Sequence, residues 1–90
     1  MRSRRTARFK SVFEKLPAGV QQSAQRAYAL FQCEPAHPSL QFKRLLADRQ
    51  TYSIGIGPGY RALGIRFDET LVWYWIGPHA EYDRLVSQLK

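Results

Sequence analysis

Arg61, His79, Glu81 and Tyr82 are the side chains of this 90-residue sequence best suited to chemistry, and all fall in its last third. A guanidinium presents a rigid fork of donors that suits a phosphate. An imidazole titrates near neutrality and can give or take a proton. Two strands would bring these groups together. Residues 60–67 alternate in polarity and end at Asp68-Glu69, read as a two-residue hairpin loop. That pair lacks the glycine of the tightest hairpins, which leaves a longer or bulged turn open. Residues 71–76, Leu-Val-Trp-Tyr-Trp-Ile, are the most apolar run and stop at Gly77-Pro78. In this hairpin Arg61 lies opposite Ile76, close to the loop carrying His79. A cation, an imidazole and a phenol then converge at one edge of a sheet.

The elements that must hold this edge are legible upstream. Phe9, Val12, Phe13 and Leu16 recur at helical spacing, and Pro17 ends that helix. A longer helix follows from about residue 18 to 33, with Val20, Ala24, Ala27 and Phe31 on one stripe. The two make a helical hairpin. His37 sits between Pro35 and Pro38, where a rigid turn is the default purpose. Residues 40–46 suggest a strand, and residues 51–57 a clearer one, with Tyr52, Ile54 and Ile56 on one face. Gly57-Pro58-Gly59 is a turn by composition. A short helix over about 79–89 closes the chain, where Tyr82, Leu85, Val86 and Leu89 can share a stripe. Residues 1–8 hold four arginines and no acid, a basic arm that is disordered or at best a short edge strand around 5–8.

The expected fold is therefore one α+β domain over residues 1–90. Two N-terminal helices pack on a small antiparallel sheet of about four strands, followed by a short C-terminal helix. Ninety residues fold without staples but are too few for helix layers on both sides of a sheet. The uncovered face would carry Arg61, Leu63, Ile65, Phe67, Val72, Tyr74 and Ile76, while Ala62 and Gly64 lie across from Trp75 and Trp73. So many apolar residues in the open mark a surface for a protein partner. A one-residue bulge would exchange the faces.

Composition narrows the function. Fourteen Lys and Arg against seven Asp and Glu leave a net charge of +7. That field favours a polyanion such as nucleic acid. An acidic protein partner, or solubility alone, are alternatives that charge does not separate. One cysteine, Cys33, excludes an intramolecular disulfide framework, suits a reducing compartment and reads as a small core residue. No apolar run is long enough to span a membrane, and no apolar segment follows the arginine-rich start, so the expectation is a cytoplasmic protein without membrane association. Gly55-Ile56-Gly57-Pro58-Gly59 lacks the Lys-Ser/Thr of a phosphate loop. Two histidines and one cysteine give no metal pattern, and there is no serine elbow. No cofactor or metal is expected.

Several segments together resemble the RelE/ParE toxin superfamily, and the ending is similar to its HigB-type members. They are the Leu16-Pro17 helical hairpin, Pro38-Ser39-Leu40-Gln41-Phe42-Lys43, Tyr52-Ser53-Ile54, Tyr60-Arg61-Ala62-Leu63, and Ile76-Gly77-Pro78-His79-Ala80-Glu81-Tyr82-Asp83. The resemblance runs from about Phe9 to Leu85; no single motif is specific alone, but their order and spacing are. It implies the toxin half of a bacterial type II toxin–antitoxin pair, with a cognate antitoxin as partner. The RelE and HigB branches imply messenger RNA cleavage on the ribosome, and the ParE branch implies inhibition of DNA gyrase.

For the RelE branch, the RNA 2′-hydroxyl attacks the adjacent phosphorus and expels the 5′-oxygen. The resemblance makes Arg61 the phosphate clamp and His79 the proton donor or acceptor, the latter competing with a plain helix-capping role. Tyr82 would stack on a base or orient the phosphate, or merely pack. Glu81 is a further base candidate, equally explained by its place near a helix N-terminus. Where RelE has two lysines this chain reads Ser53-Ile54-Gly55. Lys43 and Arg44 are possible substitutes, and with Arg66 they complete the candidate RNA contacts. Leu63, Ile65 and Tyr74 are the candidate antitoxin contacts. A gyrase-binding toxin and an inactive binding module of the same fold remain the alternatives.

Overall fold

The computed structural model describes residues 2–45 and 50–88. Strand β1 (Arg2–Arg5) leads into helix α1 (Ala7–Glu14) and helix α2 (Ala18–Cys33). A 3-10 turn (Pro38–Leu40) and the two-residue strand β2 (Lys43–Arg44) follow. Strands β3 (Thr51–Ile56), β4 (Tyr60–Phe67) and β5 (Thr70–Pro78) form a meander, and helix α3 (His79–Gln88) ends the described chain. Leu46 and Leu89, assigned above to a strand and a helix stripe, lie outside the described residues. No described helix is long and apolar enough to cross a membrane.

The expected antiparallel sheet of about four strands is a mixed sheet of five, ordered β1-β5-β4-β3-β2. The addition is the basic arm, which pairs parallel to β5 with Arg2 opposite Thr70 and Arg5 opposite Trp73. Side chains staple it there. Trp73 Nε1 donates to Ser3 Oγ at 2.8 Å, and the Tyr28 hydroxyl donates to the Ser3 carbonyl at 3.0 Å. The Arg5 guanidinium lies 4.6 Å above the Tyr28 ring. The arm is therefore a strand over residues 2–5. Thr6 then caps α1, its hydroxyl accepting the Phe9 N–H at 3.0 Å.

The helical hairpin buries Phe9, Ala24, Ala27 and Phe31 on a sheet face made of Tyr52, Ile54, Ile56, Ala62, Leu71, Trp73 and Ile76. Phe31 meets Trp73 edge-on, with ring centroids 5.3 Å apart. Cys33, the last residue of α2, is exposed rather than in the core, because two positions past Phe31 the helix has turned that side chain away from the sheet.

The Asp68-Glu69 loop is two residues long, with Phe67 opposite Thr70. Asp68 supplies the left-handed turn that glycine would otherwise provide, at φ +53°. The register holds as far as Gly64 opposite Trp73 and then slips, because Leu63 faces Trp75 and Tyr74 is bulged. Three expectations change as a result. Ala62 pairs with Ile76 rather than Trp75, and Ile76 turns into the helix-side core. Arg61 pairs with Gly77 rather than Ile76. The second face is not open either: α3 folds back over it. There Leu45, Leu63 and Tyr82 form a smaller core with Tyr74, Trp75, Leu85 and Val86 against it. A ten-residue helix is enough to cover the end of the sheet that carries Leu63. Towards the hairpin tip Ile65 and Val72 are half-buried, and Phe67 is 61% exposed.

Candidate functional site

Arg61 occupies a trough between two glycines, Gly55 on β3 and Gly77 on β5, its direct partners across the sheet. A β-carbon at Gly55 would stand 3.5 Å from Arg61 Nη1. A methyl there would make ordinary contact and a larger side chain would crowd the guanidinium, while the space beside Gly77 is filled by the Trp75 ring. Arg61 is 3% exposed, not the solvated edge residue that its position on β4 allowed.

Its partners come from three places. Nη2 donates to Ser53 Oγ at 2.9 Å, and Nη1 donates to Gln41 Oε1 at 3.0 Å. A longer bond of 3.3 Å runs from Nη2 to the Gln41 carbonyl. The Tyr82 ring lies under the guanidinium at 4.9 Å, and its hydroxyl donates to the same Ser53 Oγ at 3.2 Å. All of these groups are neutral. Nε is buried without a hydrogen-bond partner, and no carboxylate among the described residues pairs with Arg61. A buried cation held by neutral groups keeps its charge for an incoming anion.

His79 opens α3. Its backbone N–H donates to the Gly59 carbonyl at 3.0 Å, which ties the helix start to the β3–β4 turn. Its ring stands 5.6 Å from that of Tyr82, edge to face, and Nδ1 is 3.2 Å from Asp83 Oδ2 one helical turn on. A carboxylate on one ring nitrogen orients the imidazole and leaves Nε2 for other work. Glu81 is exposed on the first turn of α3, its carboxylate 3.3 Å from the place a Gly77 β-carbon would take. Arg61, Tyr82 and His79 therefore form a contiguous row.

The candidate RNA contacts separate. Lys43 pairs with Ser53 and so shares the face of Arg61. Arg44 pairs with Tyr52 and belongs to the opposite face. So does Arg66, whose Nη1 approaches the Tyr52 hydroxyl at 3.5 Å while Nε donates to the Asp68 carbonyl at 2.8 Å. The hydrogen bond from Arg66 holds the Tyr52 phenol below its usual value; burial opposes this, and the charges of Arg66 and Arg44 add to it. With the folded pKa lower than the unfolded value near ~10, phenolate favours the native state. Stability should therefore rise with pH from the folded pKa towards ~10, and that increment should vanish as pH falls below the folded pKa. Urea midpoints across this window should show the rise in the parent chain and not in Tyr52→Phe. Parallel curves would show that Arg66 does not hold the phenol.

The candidate antitoxin contacts separate too. Leu63 is 2% exposed beneath α3 and offers no free surface in this arrangement, and Tyr74 packs half-buried against that small core. Ile65 stands half-buried outside the helix. Two site residues carried no role in the sequence reading. In the sequence Ser53 stands out only as part of the strand that lacks the lysines, and Gln41 only as part of a motif. The usable signal is Gly55, whose missing side chain leaves room beside the Arg61 guanidinium.

No metal-binding group of three or more His, Cys, Asp or Glu occurs among the described residues. No curated protein matches the chain by sequence. A family model described as a ParE-like toxin domain matches residues 18–84. Among solved structures, the chain is similar to one from the RelB–RelE antitoxin–toxin complex of Methanococcus jannaschii. The TM-score is 0.72 at 14% identity, covering 90% of this chain and 96% of that one. Isolated RelE toxin of E. coli superposes with a TM-score of 0.67 at 17% identity, covering 99% and 98%. A YoeB/ParE toxin from Agrobacterium tumefaciens gives 0.67 at 14%, covering 88% and 99%. Likeness at this identity establishes the fold.

Proposed function

The chain belongs to the ParE-like toxin domain family, and from that premise we propose a toxin that cleaves messenger RNA on the ribosome and is held in check by a cognate antitoxin. The observation that carries this reading is the buried Arg61 guanidinium, whose partners among the described residues are neutral, in a row with Tyr82 and His79. In-line attack of a 2′-hydroxyl on the adjacent phosphorus places added negative charge on the phosphoryl oxygens. Arg61 neutralises it. His79, oriented by Asp83, exchanges the proton at the attacking or departing oxygen, a contribution of ~10²–10⁴-fold for a well-placed group. Lys43 is a further cation on that face and takes up part of the work of the lysines that the resemblance places on the strand reading Ser53-Ile54-Gly55. Tyr82 stacks under the guanidinium and limits where the phosphate can sit.

The antitoxin reading draws support from solved relatives recorded as RelB–RelE and DinJ–YafQ complexes. Phe67, Ile65 and Val72, on the part of the sheet face beyond α3, are the apolar surface such a partner would use.

Expression from a tightly repressed promoter, with transcript 5′ ends mapped by primer extension, tests the assignment. New ends inside translated codons should appear with the parent chain and fall by at least tenfold with His79→Ala. Growth arrest with intact transcripts would move the assignment to gyrase. Undiminished cutting by a folded His79→Ala would remove His79 from the site.

A further inference from the structure

Arg61 is the proposed phosphate clamp, yet at 3% exposure no phosphate can reach it as the site stands. Something must move. Of the three side chains around the guanidinium, Ser53 is fully buried on β3 and Tyr82 is 4% exposed in the core beneath α3. Gln41 differs from both. It is exposed, lies between the 3-10 turn and β2, and has a left-handed backbone with φ +47° and ψ +43° that a β-carbon disfavours. It also supplies two of the acceptors that a phosphate would replace, Oε1 and the main-chain carbonyl.

We propose that Gln41 is a displaceable internal ligand of Arg61, closing the anion site until a phosphate oxygen takes over its hydrogen bonds. The idea rests on Arg61 as an anion site and adds how that site opens. A neutral amide suits the task. It satisfies the guanidinium in the resting chain without cancelling its charge, so a phosphate dianion or diester competes favourably for the same donors. A carboxylate at this position would pair with Arg61 and keep the anion out. The resting closure weakens apparent phosphate affinity by the fraction of molecules that are open.

Two substitutions at Gln41 should therefore act in opposite directions. Gln41→Gly removes the side-chain acceptor and relaxes the left-handed backbone. Gln41→Glu keeps the shape and adds the charge. Inorganic phosphate is the probe, and the Nε–Hε resonance of Arg61, assigned by its loss in Arg61→Gln, reports occupancy without any RNA. The expected result is phosphate binding about tenfold tighter than the parent in Gln41→Gly, for a site about one-tenth open at rest, and at least tenfold weaker in Gln41→Glu. Equal or weaker binding by Gln41→Gly would make Gln41 a support for Arg61 and overturn the closure. Phosphate binding followed by titration calorimetry, which needs no arginine resonance, would instead overturn the anion site itself if it persisted unchanged in Arg61→Gln, so the two failures are distinguishable.

Discussion

Arg61→Met should lower ribosome-dependent cleavage by about 10²–10³-fold, the usual loss when one preorganised donor to a developing anion is removed. The same substitution should leave the midpoint of urea unfolding unchanged or raise it. These two outcomes belong together physically. A buried guanidinium with neutral partners and an unpaired Nε is poorly compensated for the water it has lost. Methionine fills much of the same trough and carries no charge to desolvate. Replacing buried charge by apolar volume is often neutral or stabilising. Its former acceptors are not stranded, because Gln41 is at the surface and Ser53 Oγ keeps the Tyr82 hydroxyl. A variant that lost activity and stability together would show Arg61 to be a structural strut, and the anion reading would fall with it.

The helical hairpin and the β3–β4–β5 meander were legible because local periodicity and turn residues dictate them. Residues 60–67 and the Asp68-Glu69 loop sit where alternation and composition place them. What local pattern could not carry was pairing between distant parts of the chain. Nothing in Arg2-Ser3-Arg4-Arg5 announces a strand; it becomes one because Ser3 meets Trp73 and Tyr28. The bulge at Tyr74 is equally silent, since Leu71 to Ile76 read as one uninterrupted apolar run. Its effect is large. It turns Ile76 into the core and sets Arg61 opposite Gly77, so the site depends on one extra residue in β5. Arg61, His79 and Tyr82 were legible as chemistry. Gln41 and Ser53 were not, because amides and hydroxyls gain a role only from what the fold places beside them.

Gly64→Ala should cost roughly 1–3 kcal/mol, the range for forcing extra volume into a packed core. A β-carbon there would stand 2.7 Å from Trp73 Cε3 and 3.1 Å from Cδ2 and Cζ3. The indole cannot retreat easily. It is 1% exposed, abuts Phe31 at 5.3 Å, and is tied to Ser3 Oγ through Nε1. For a domain of this size the loss is a sizeable share of a total near 5–15 kcal/mol, and each kcal/mol lowers the melting temperature by about 4–8 °C. Gly59→Ala is the matched control. Nothing lies within 4 Å of its β-carbon, so its stability should stay within ~1 kcal/mol of the parent. The clash itself can be isolated by repeating Gly64→Ala in a Trp73→Phe background, where a smaller ring leaves room for the methyl. The cost should shrink by more than half, a coupling that only contacting residues show. An undiminished cost would place the strain in the β4 backbone beside the bulge instead of in the indole.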